Sequence, residues 1–408
     1  MTKGNEPGTT NTDPAFLRGA LTRRDLLRKA GMGATMLTGA QLLAACGGGS
    51  GGGGSSAASG PVAVSYPKTV SSSWTFANWP EYIDVAHHTH PSLNLFDKTA
   101  GTHTKYIENI NDNAQFFGTV QDTLKAGQNI GYDLVVLTDW MASKWVQLGY
   151  IDPLEKSLLP NVEANLAPKL KGRSIDPQDQ YLVPWQSGFT GIGYNRKACG
   201  RDLTSIKDLW DPAFKGKVSL LTEMRDTLGL AMLAQGVDPS QATTSDAQKA
   251  VDYLKTYVSN GQVRAFLGNE YAKQMSSGDI IAAMVWSGDM VQLQADNPDL
   301  KFVFPDEGYM LWTDNMMIPK GASNPYNSHL WMNFYYQPKV AAMVEDWVNY
   351  VCPVDGAVDV LKKKDPAVAN NPLIFPTSAI YSKSHVFKAL TPQEDFDFNQ
   401  MFGQLTGV

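Results

Sequence analysis

The sequence has few cysteines, no excess of positive charge and no long apolar run, and each of these absences excludes a class of protein. Its 408 residues include three cysteines, too few for a disulfide-rich secreted scaffold. Lysine and arginine number 34 against 40 aspartates and glutamates, and the net charge of -6 argues against a nucleic-acid partner. No stretch approaches ~18 consecutive apolar residues, the minimum for a transmembrane helix. A nucleic-acid-binding protein and an integral membrane protein are therefore not expected.

Catalytic signatures are also missing. No nucleophile elbow follows a predicted strand, no His-Glu-x-x-His zinc motif occurs, and Gly191-Ile192-Gly193 lacks the lysine of a phosphate loop. His87, His88 and His90 could form a metal patch, but three loop histidines without a carboxylate partner are more typical of solvated surface. We therefore predict neither an enzyme nor a resident metal or cofactor, and a metal-binding protein is the alternative from another class.

The first 60 residues have a composition of their own. Arg23 and Arg24 precede a weakly apolar stretch, and Leu43-Ala44-Ala45-Cys46 and a tract of glycine and serine follow. This order is typical of bacterial lipoproteins, in which the cysteine thiol takes the lipid. We predict a signal peptide over 1–45, lipidation at Cys46 and a tether over 46–67. The arginine pair resembles a Tat signal, and Sec export remains open. The expected location is the outer side of the cytoplasmic membrane.

Cleavage before Cys46 changes the charge of the chain. Residues 1–45 carry six basic and three acidic side chains, so the mature protein has a net charge of -9 and favours cations as ligands. Cys199 and Cys352 remain, at a spacing that matches no metal or redox motif. A disulfide between them and two buried free thiols are both open.

The body of the chain alternates short β-branched or aromatic runs with longer helix-like stretches, and 43% of the residues are hydrophobic. This alternation predicts an α/β fold. The predicted strands are 74–78, 132–137, 218–221, 280–286 and 302–305. The predicted helices are 116–126, 247–257, 327–336 and 340–349.

Three motifs carry a family resemblance. FANWPEY at 76–82, GYDLVV at 131–136 and DLWDPAFKGK at 208–217 resemble, in this order, the extracellular solute-binding proteins of ABC importers. The similarity extends over 74–393 and is greatest to the spermidine/putrescine-binding branch. It implies a type II periplasmic-binding-protein-like fold, with two α/β lobes, crossing strands and a ligand cleft between the lobes. The implied division is 68–187 with 313–357 for lobe 1, and 188–312 with 358–408 for lobe 2.

A polyamine site needs carboxylates at intervals, with aromatic walls for the methylenes between the ammonium groups. The sequence places acids and aromatic residues after several predicted strands, where α/β folds bind ligands. The resemblance implies one set of ligand-binding residues: Trp79, Glu81, Tyr82, Thr138, Trp140, Glu223, Asp226, Trp286, Asp289, Trp312, Asp314, Tyr350 and Gln393.

Simpler explanations exist for single members of this set. Glu223 and Asp226 could be plain helix N-terminal acids, and a single tryptophan is more often a core residue. Pro80 departs from the small hydroxyl residue that the family usually has at its position. The combination still favours a monomeric, lipid-anchored polyamine-binding protein that serves an ABC permease and its ATPase subunits. The acids outnumber the two charges of putrescine, which favours spermidine. A binder of another cationic or amino-acid-like solute is the alternative.

Overall fold

The computed structural model describes residues 64–110 and 112–407. The predicted signal peptide, Cys46 and the tether up to residue 63 lie outside the described residues. Within this part of the chain, no helix combines the length and apolar character that a membrane crossing requires.

The strands are numbered in chain order. They are β1 (Trp74–Asn78), β2 (Thr104–Glu108), β3 (Leu134–Thr138), β4 (Val183–Asn195), β5 (Val218–Leu221), β6 (Val263–Leu267), β7 (Ala282–Trp286), β8 (Leu300–Val303), β9 (Tyr309–Met317) and β10 (Ser384–His385).

The α-helices alternate with these strands. They are α1 (Pro91–Ala100), α2 (Asn113–Lys125), α3 (Asp139–Gln147), α4 (Pro160–Asn165), α5 (Arg196–Cys199), α6 (Met224–Leu233), α7 (Thr244–Ser259), α8 (Glu270–Ser277), α9 (Ser287–Asp296), α10 (Pro325–Tyr335), α11 (Pro338–Val348), α12 (Ala357–Lys364), α13 (Pro366–Ala369), α14 (Ser378–Ser382) and α15 (Pro392–Thr406).

The strands form one continuous sheet in the order β2-β1-β3-β9-β4-β7-β5-β6. Strands β4 and β9 run through its centre as an antiparallel pair, with Ser187 opposite Thr313 and Gly188 opposite Trp312. The outer parallel strands, β1–β3 on one side and β5–β7 on the other, therefore belong to two halves that β4 and β9 join. The α/β layering and the crossing strands expected from the sequence are both present.

Each half has its own hydrophobic core. One core contains the fully buried side chains of Trp74, Trp185 and Trp331, and a second cluster around Trp145 extends it. The other core contains Leu228 and Phe398, which belong to α6 and α15. We call the half around Trp185 the first lobe and the half around Leu228 the second lobe.

One predicted lobe boundary does not match this packing. The sequence interpretation assigned 358–408 to the second lobe, yet Leu361 and Ala369 are buried in the core of the first lobe. Phe398, on α15, is buried in the second. The chain therefore changes lobe after Ala369 rather than at residue 358, because α12 packs on α11 and α13 packs on α12.

Most predicted elements agree with the structure, and one strand is displaced. The predictions for β1 and β5 match their bounds, whereas the strand predicted at 302–305 is β8 (Leu300–Val303). Its pairing explains the difference, because Leu300 to Val303 lie opposite Asn195 to Ile192 of β4. Pro305 has no backbone N–H with which to continue this ladder.

The two cysteines of the body are unpaired with one another. Among the described residues both Cys199 and Cys352 are free thiols, and Cys352 is buried whereas Cys199 is half-buried. Burial raises the pKa of Cys199 to about 11. The structure thus favours the second of the two states that the sequence left open.

Candidate ligand-binding cleft

A cleft lies between the two lobes, at the carboxyl ends of several strands, and its space of about 1090 Å³ includes the opening to solvent. The first lobe contributes side chains that follow β1 and β3, and the second contributes side chains that follow β5 and β7. The crossing strand β9 passes between them. Eleven of the thirteen predicted residues line this cleft: Trp79, Tyr82, Thr138, Trp140, Glu223, Asp226, Trp286, Asp289, Trp312, Asp314 and Tyr350.

Glu223 and Asp226 occupy the start of α6, directly after β5. Glu223 is the N-cap of this helix, and its side chain accepts a hydrogen bond from the backbone N–H of Arg225 at 3.3 Å. Asp226 lies in the first helical turn and accepts hydrogen bonds from Thr190 Oγ1 at 2.7 Å and Trp286 Nε1 at 2.8 Å. Capping and exposure to the cleft therefore coexist at this helix terminus.

Thr190 connects this acid to a second tryptophan. The indole N–H of Trp312 donates to Thr190 Oγ1 at 3.1 Å, and the threonine hydroxyl donates onward to Asp226. The rings of Trp286 and Trp312 are thus oriented around one carboxylate. Thr190 is fully buried on β4. No motif of the sequence indicated this role.

Tyrosine hydroxyls donate hydrogen bonds to Asp289 and Asp314, the two other predicted acids that line the cleft. Tyr82 donates to Asp314 Oδ2 at 2.8 Å. Asp289 accepts from Tyr271 at 2.7 Å and from Tyr350 at 2.9 Å. Thr138 also interacts with this carboxyl group and lowers its pKa, but among the residues that the structure describes the other oxygen of Asp314, Oδ1, makes no hydrogen bond of good geometry. A buried acceptor without a partner is costly, so this oxygen suits an incoming donor such as an ammonium group.

Two glycines allow the aromatic walls to pack closely. A Cβ atom at Gly188 on β4 would lie 2.3 Å from the ring of Trp312, and one at Gly288 on α9 would lie 2.4 Å from the ring of Tyr350. Any larger residue would displace these rings. The rings of Trp312 and Tyr350 are 5.6 Å apart, and Tyr350 meets Tyr82 edge-on at 5.5 Å.

Burial makes the carboxyl groups of the cleft hard to ionise. Desolvation raises the pKa of Glu223 to about 8, and that of Asp314 to about 7. It raises the pKa of Asp226 to about 6, although the hydrogen bonds from Trp286 and Thr190 oppose the increase. Such shifts are typical of acids that await a positive partner, since a cation in the cleft would favour their charged forms.

Arg225 brings a protein cation into the cleft. Its guanidinium lies over the ring of Trp140, 3.8 Å from the ring centroid, and donates to Asp395 at 2.6 Å. One of its nitrogens is 3.9 Å from Glu223 Oε1. Arg225 therefore neutralises part of the acidic end of the cleft.

Two predicted site residues lie outside the cleft. Glu81 has a left-handed backbone with φ of 56°, so its neighbours Pro80 and Tyr82 face the cleft while Glu81 does not. Gln393 is exposed on α15 and donates to Asp397 on the next turn at 2.8 Å. The backbone turn at Glu81 and the helical geometry of α15 are not visible in the motif spacing.

The cleft also contains residues that the sequence interpretation did not select. Asp139 follows β3 directly, next to Trp140, and Arg173 neutralises it. Asp112 caps α2 and accepts from Gln115. The position of Asp139 at a strand end was an available signal. Val386 and Phe387, which also line the cleft, carry no such signal, because they belong to an irregular segment after β10.

The alternative of a metal site at His87, His88 and His90 receives no support. Over residues 64–110 and 112–407, no group of three or more His, Cys, Asp or Glu side chains is arranged to hold a metal ion. His87 and His88 are exposed, and His90 contacts the backbone carbonyl of Asp84.

Two α/β lobes that enclose a cleft lined from both sides define a solute-binding protein. The comparison with protein families agrees, since residues 97–376 match the model described as bacterial extracellular solute-binding protein. The chain belongs to this family. The family binds solutes rather than transforming them, which confirms the prediction that the chain is not an enzyme.

Individual relatives indicate which branch of the family the chain resembles. The chain is 31% identical over 310 residues to the spermidine/putrescine-binding periplasmic protein of Salmonella typhimurium, covering 76% of this chain and 84% of the relative. It is 30% identical over 303 residues to the protein of the same description from Escherichia coli, covering 74% and 82%. The solved spermidine/putrescine ABC transporter substrate-binding protein of Streptococcus pneumoniae has the same fold, with a TM-score of 0.70, 24% identity and coverage of 83% and 99%. The predicted family resemblance and fold are confirmed.

Proposed function

We propose that this chain binds a polyamine in the cleft and delivers it to the permease of an ABC importer. The observation that carries the proposal is the charge of the cleft. Its lining includes six carboxyl side chains, of Asp112, Asp139, Glu223, Asp226, Asp289 and Asp314, against the single guanidinium of Arg225. Because Arg173 neutralises Asp139, five of these acids remain beside one cation, which leaves a preference for a cationic solute.

The aromatic residues specify the form of that cation. Tryptophan rings at 79, 140, 286 and 312 line the cleft together with the acids. Ammonium groups are attracted to carboxylates and to ring faces, and the methylene segments between them are stabilised by apolar contact. A linear chain with several amines fits both requirements, whereas a compact amino acid uses only part of the lining. The names of the relatives from Salmonella and Escherichia coli point in the same direction.

Calorimetric titration of the purified protein tests the proposal. We expect spermidine and putrescine to bind, and an amino acid panel and Zn²⁺ to show no comparable affinity. Spermidine should be the tighter of the two, because its additional ammonium group can pair with one more carboxylate. Tighter binding of putrescine would contradict the preference for spermidine that the charge count predicts, but not the binding of polyamines. Failure of both polyamines would contradict the proposed function.

Closure of the lobes is the proposed mechanism. The cleft residues belong to both lobes, so a ligand that touches both gains more contacts in the closed state and shifts the population towards it. Eleven of the thirteen predicted ligand contacts, all except Glu81 and Gln393, form part of this proposal. So do the lobe boundaries near residues 188 and 313 and the role as a monomer that serves a permease and its ATPase subunits.

The finer location is also a proposal. The family is extracellular, in agreement with the predicted export. The sequence Leu43-Ala44-Ala45-Cys46, followed by glycine and serine, supports a lipid anchor at Cys46 after removal of a twin-arginine-like signal. The last residues of the predicted tether already contact the first lobe, where Tyr66 donates to the carbonyl of Pro153 at 2.6 Å.

Replacement of the lipidation residue should release the protein. With Cys46→Ser, we expect the exported protein to leave the membrane fraction, because a glycine and serine tether has no other apolar anchor. Fractionation followed by immunoblotting measures this, with Cys199→Ser as the matched control that should stay at the membrane. Sedimentation of exported Cys46→Ser with membranes would contradict the lipoprotein assignment.

A further inference from the structure

A set of ionic contacts joins the two lobes beside the cleft. Lys144 lies on α3 of the first lobe, and its Nζ is 3.3 Å from Asp395 Oδ2. Asp395 lies in the first turn of α15, which packs in the second lobe. The other oxygen of Asp395 accepts from Arg225 at 2.6 Å. The carboxylate of Asp395 therefore pairs with Lys144 of the first lobe and with Arg225 of the second, and the pair with Lys144 links the two lobes.

The contacts continue into the wall of the cleft. Arg225 stacks on Trp140, which is one turn before Lys144 on α3. The second lobe therefore touches α3 twice, once through the ring of Trp140 and once through the ammonium of Lys144. Arg225 and Trp140 line the cleft, whereas Lys144 and Asp395 do not. The outer pair can be changed without removal of a lining side chain.

The environment of Asp395 favours its charged form. Its side chain is only 17% exposed. Burial alone raises the pKa of such a group, but the charges and hydrogen bonds of Arg225 and Lys144 outweigh it and hold the pKa below its usual range. The aspartate is therefore ionised at neutral pH, and the pair with Lys144 is attractive. Lys144 is also held in place, since its ammonium lies 4.9 Å from the ring centroid of Phe117 on α2.

We infer that Lys144 and Asp395 are positioning residues that keep the lobes closed around the ligand without touching it. The inference rests on the proposed function, because closure is what it acts on. A contact between lobes exists only when they are close together, so it lowers the free energy of the closed state relative to the open one. The ligand then leaves more slowly, since release requires the pair to separate.

The direction in which one substitution changes the affinity distinguishes this role from long-range electrostatic attraction. Lys144→Gln removes a positive charge near an acidic cleft, so long-range attraction alone would tighten the binding of a polycation. Loss of the contact between the lobes acts in the opposite direction. We expect about threefold weaker spermidine binding and a faster dissociation rate, the size typical of a partly exposed ion pair.

Matched variants complete the test on the purified protein. Lys125→Gln removes the same charge from an exposed position in the last turn of α2 and should leave the affinity unchanged or slightly tighter. Lys144→Arg retains the ion pair and should retain wild-type dissociation. Stopped-flow dissociation and calorimetry measure both quantities, and small-angle scattering without ligand should show a larger radius of gyration for Lys144→Gln.

The results separate this inference from the proposed function. If the wild-type protein binds no polyamine, the proposed function fails, and the scattering comparison still decides whether the pair holds the lobes together. If spermidine binds and Lys144→Gln matches or exceeds the wild-type affinity, the inference is overturned. An equal loss of affinity in Lys125→Gln would overturn it as well.

Discussion

Asp314→Asn should weaken the binding of spermidine by roughly 10- to 100-fold. A charge-assisted hydrogen bond between an ammonium and a buried carboxylate contributes about 1.5–3 kcal/mol, and Asp314 lines the cleft with one buried oxygen, Oδ1, that has no hydrogen-bond partner among the described residues. Asparagine has the same shape, but it carries no charge. Its carbonyl can still accept the hydrogen bond of Tyr82, so the local structure should persist. Calorimetric titration at fixed ionic strength measures the loss.

The matched control is Asp359→Asn. Asp359 is exposed on α12 and pairs with Lys362 of the same helix, so its replacement makes the same change in net charge away from the cleft. The control should bind spermidine within about twofold of the wild type, and both variants should melt near the wild-type temperature. An affinity of Asp314→Asn that equals that of the control would exclude Asp314 as a ligand contact.

The affinity for polyamine should also rise with pH between pH 6 and pH 8. In the cleft without ligand, desolvation raises the pKa of Glu223 to about 8, so this group is mostly protonated at pH 6. An ammonium group favours the carboxylate, and binding therefore releases a proton. If the bound form requires the carboxylate, the penalty is about 100-fold at pH 6 and about twofold at pH 8, a difference of roughly 50-fold.

The stability of the protein without ligand should change with pH in the opposite direction to the affinity. The pKa of Glu223 in the folded protein lies above the ordinary value of 4.5, so between these two values the folded state holds more protons than the unfolded chain. Without ligand, the contribution of Glu223 to stability therefore decreases as the pH rises through this window. Glu223→Gln should remove the share of both effects that this carboxyl group contributes, and a smaller pH dependence should remain from Asp314, whose pKa is raised to about 7. Calorimetry in buffers of different ionisation enthalpy counts the released protons, and a pH-independent affinity in the wild type would contradict the assignment.

The sequence predicted those features of the cleft that depend on local patterns. Buried strands such as β1 and β5 appear as short apolar or β-branched runs, and acids and tryptophans stand directly after such runs. Glu223 and Asp226 follow such a run, and the family resemblance then favoured the cleft over plain helix capping for both acids. Motif order alone was sufficient for the family.

The partners of these acids could not be predicted in this way. Thr190 bonds to Asp226 from 36 positions away, and Tyr82 reaches Asp314 over 232 positions. Such contacts depend on the register of the crossing strands, which leaves no periodic trace in the sequence. The family resemblance likewise placed Gln393 in the cleft, whereas the C-terminal helix contributes Asp395 to the contact between the lobes.

The sequence by itself determined the class of fold and the family, because hydrophobic periodicity and motif order are local properties of the chain, and the family resemblance identified eleven of the residues that line the cleft. Tertiary structure decided which carboxylates are neutralised and which remain open to a ligand. Arg173 pairs with Asp139, and Lys144 meets Asp395 across 251 positions. The physical reason is that the strength of a charge interaction depends on distance and desolvation, and both are fixed only when the two lobes pack together.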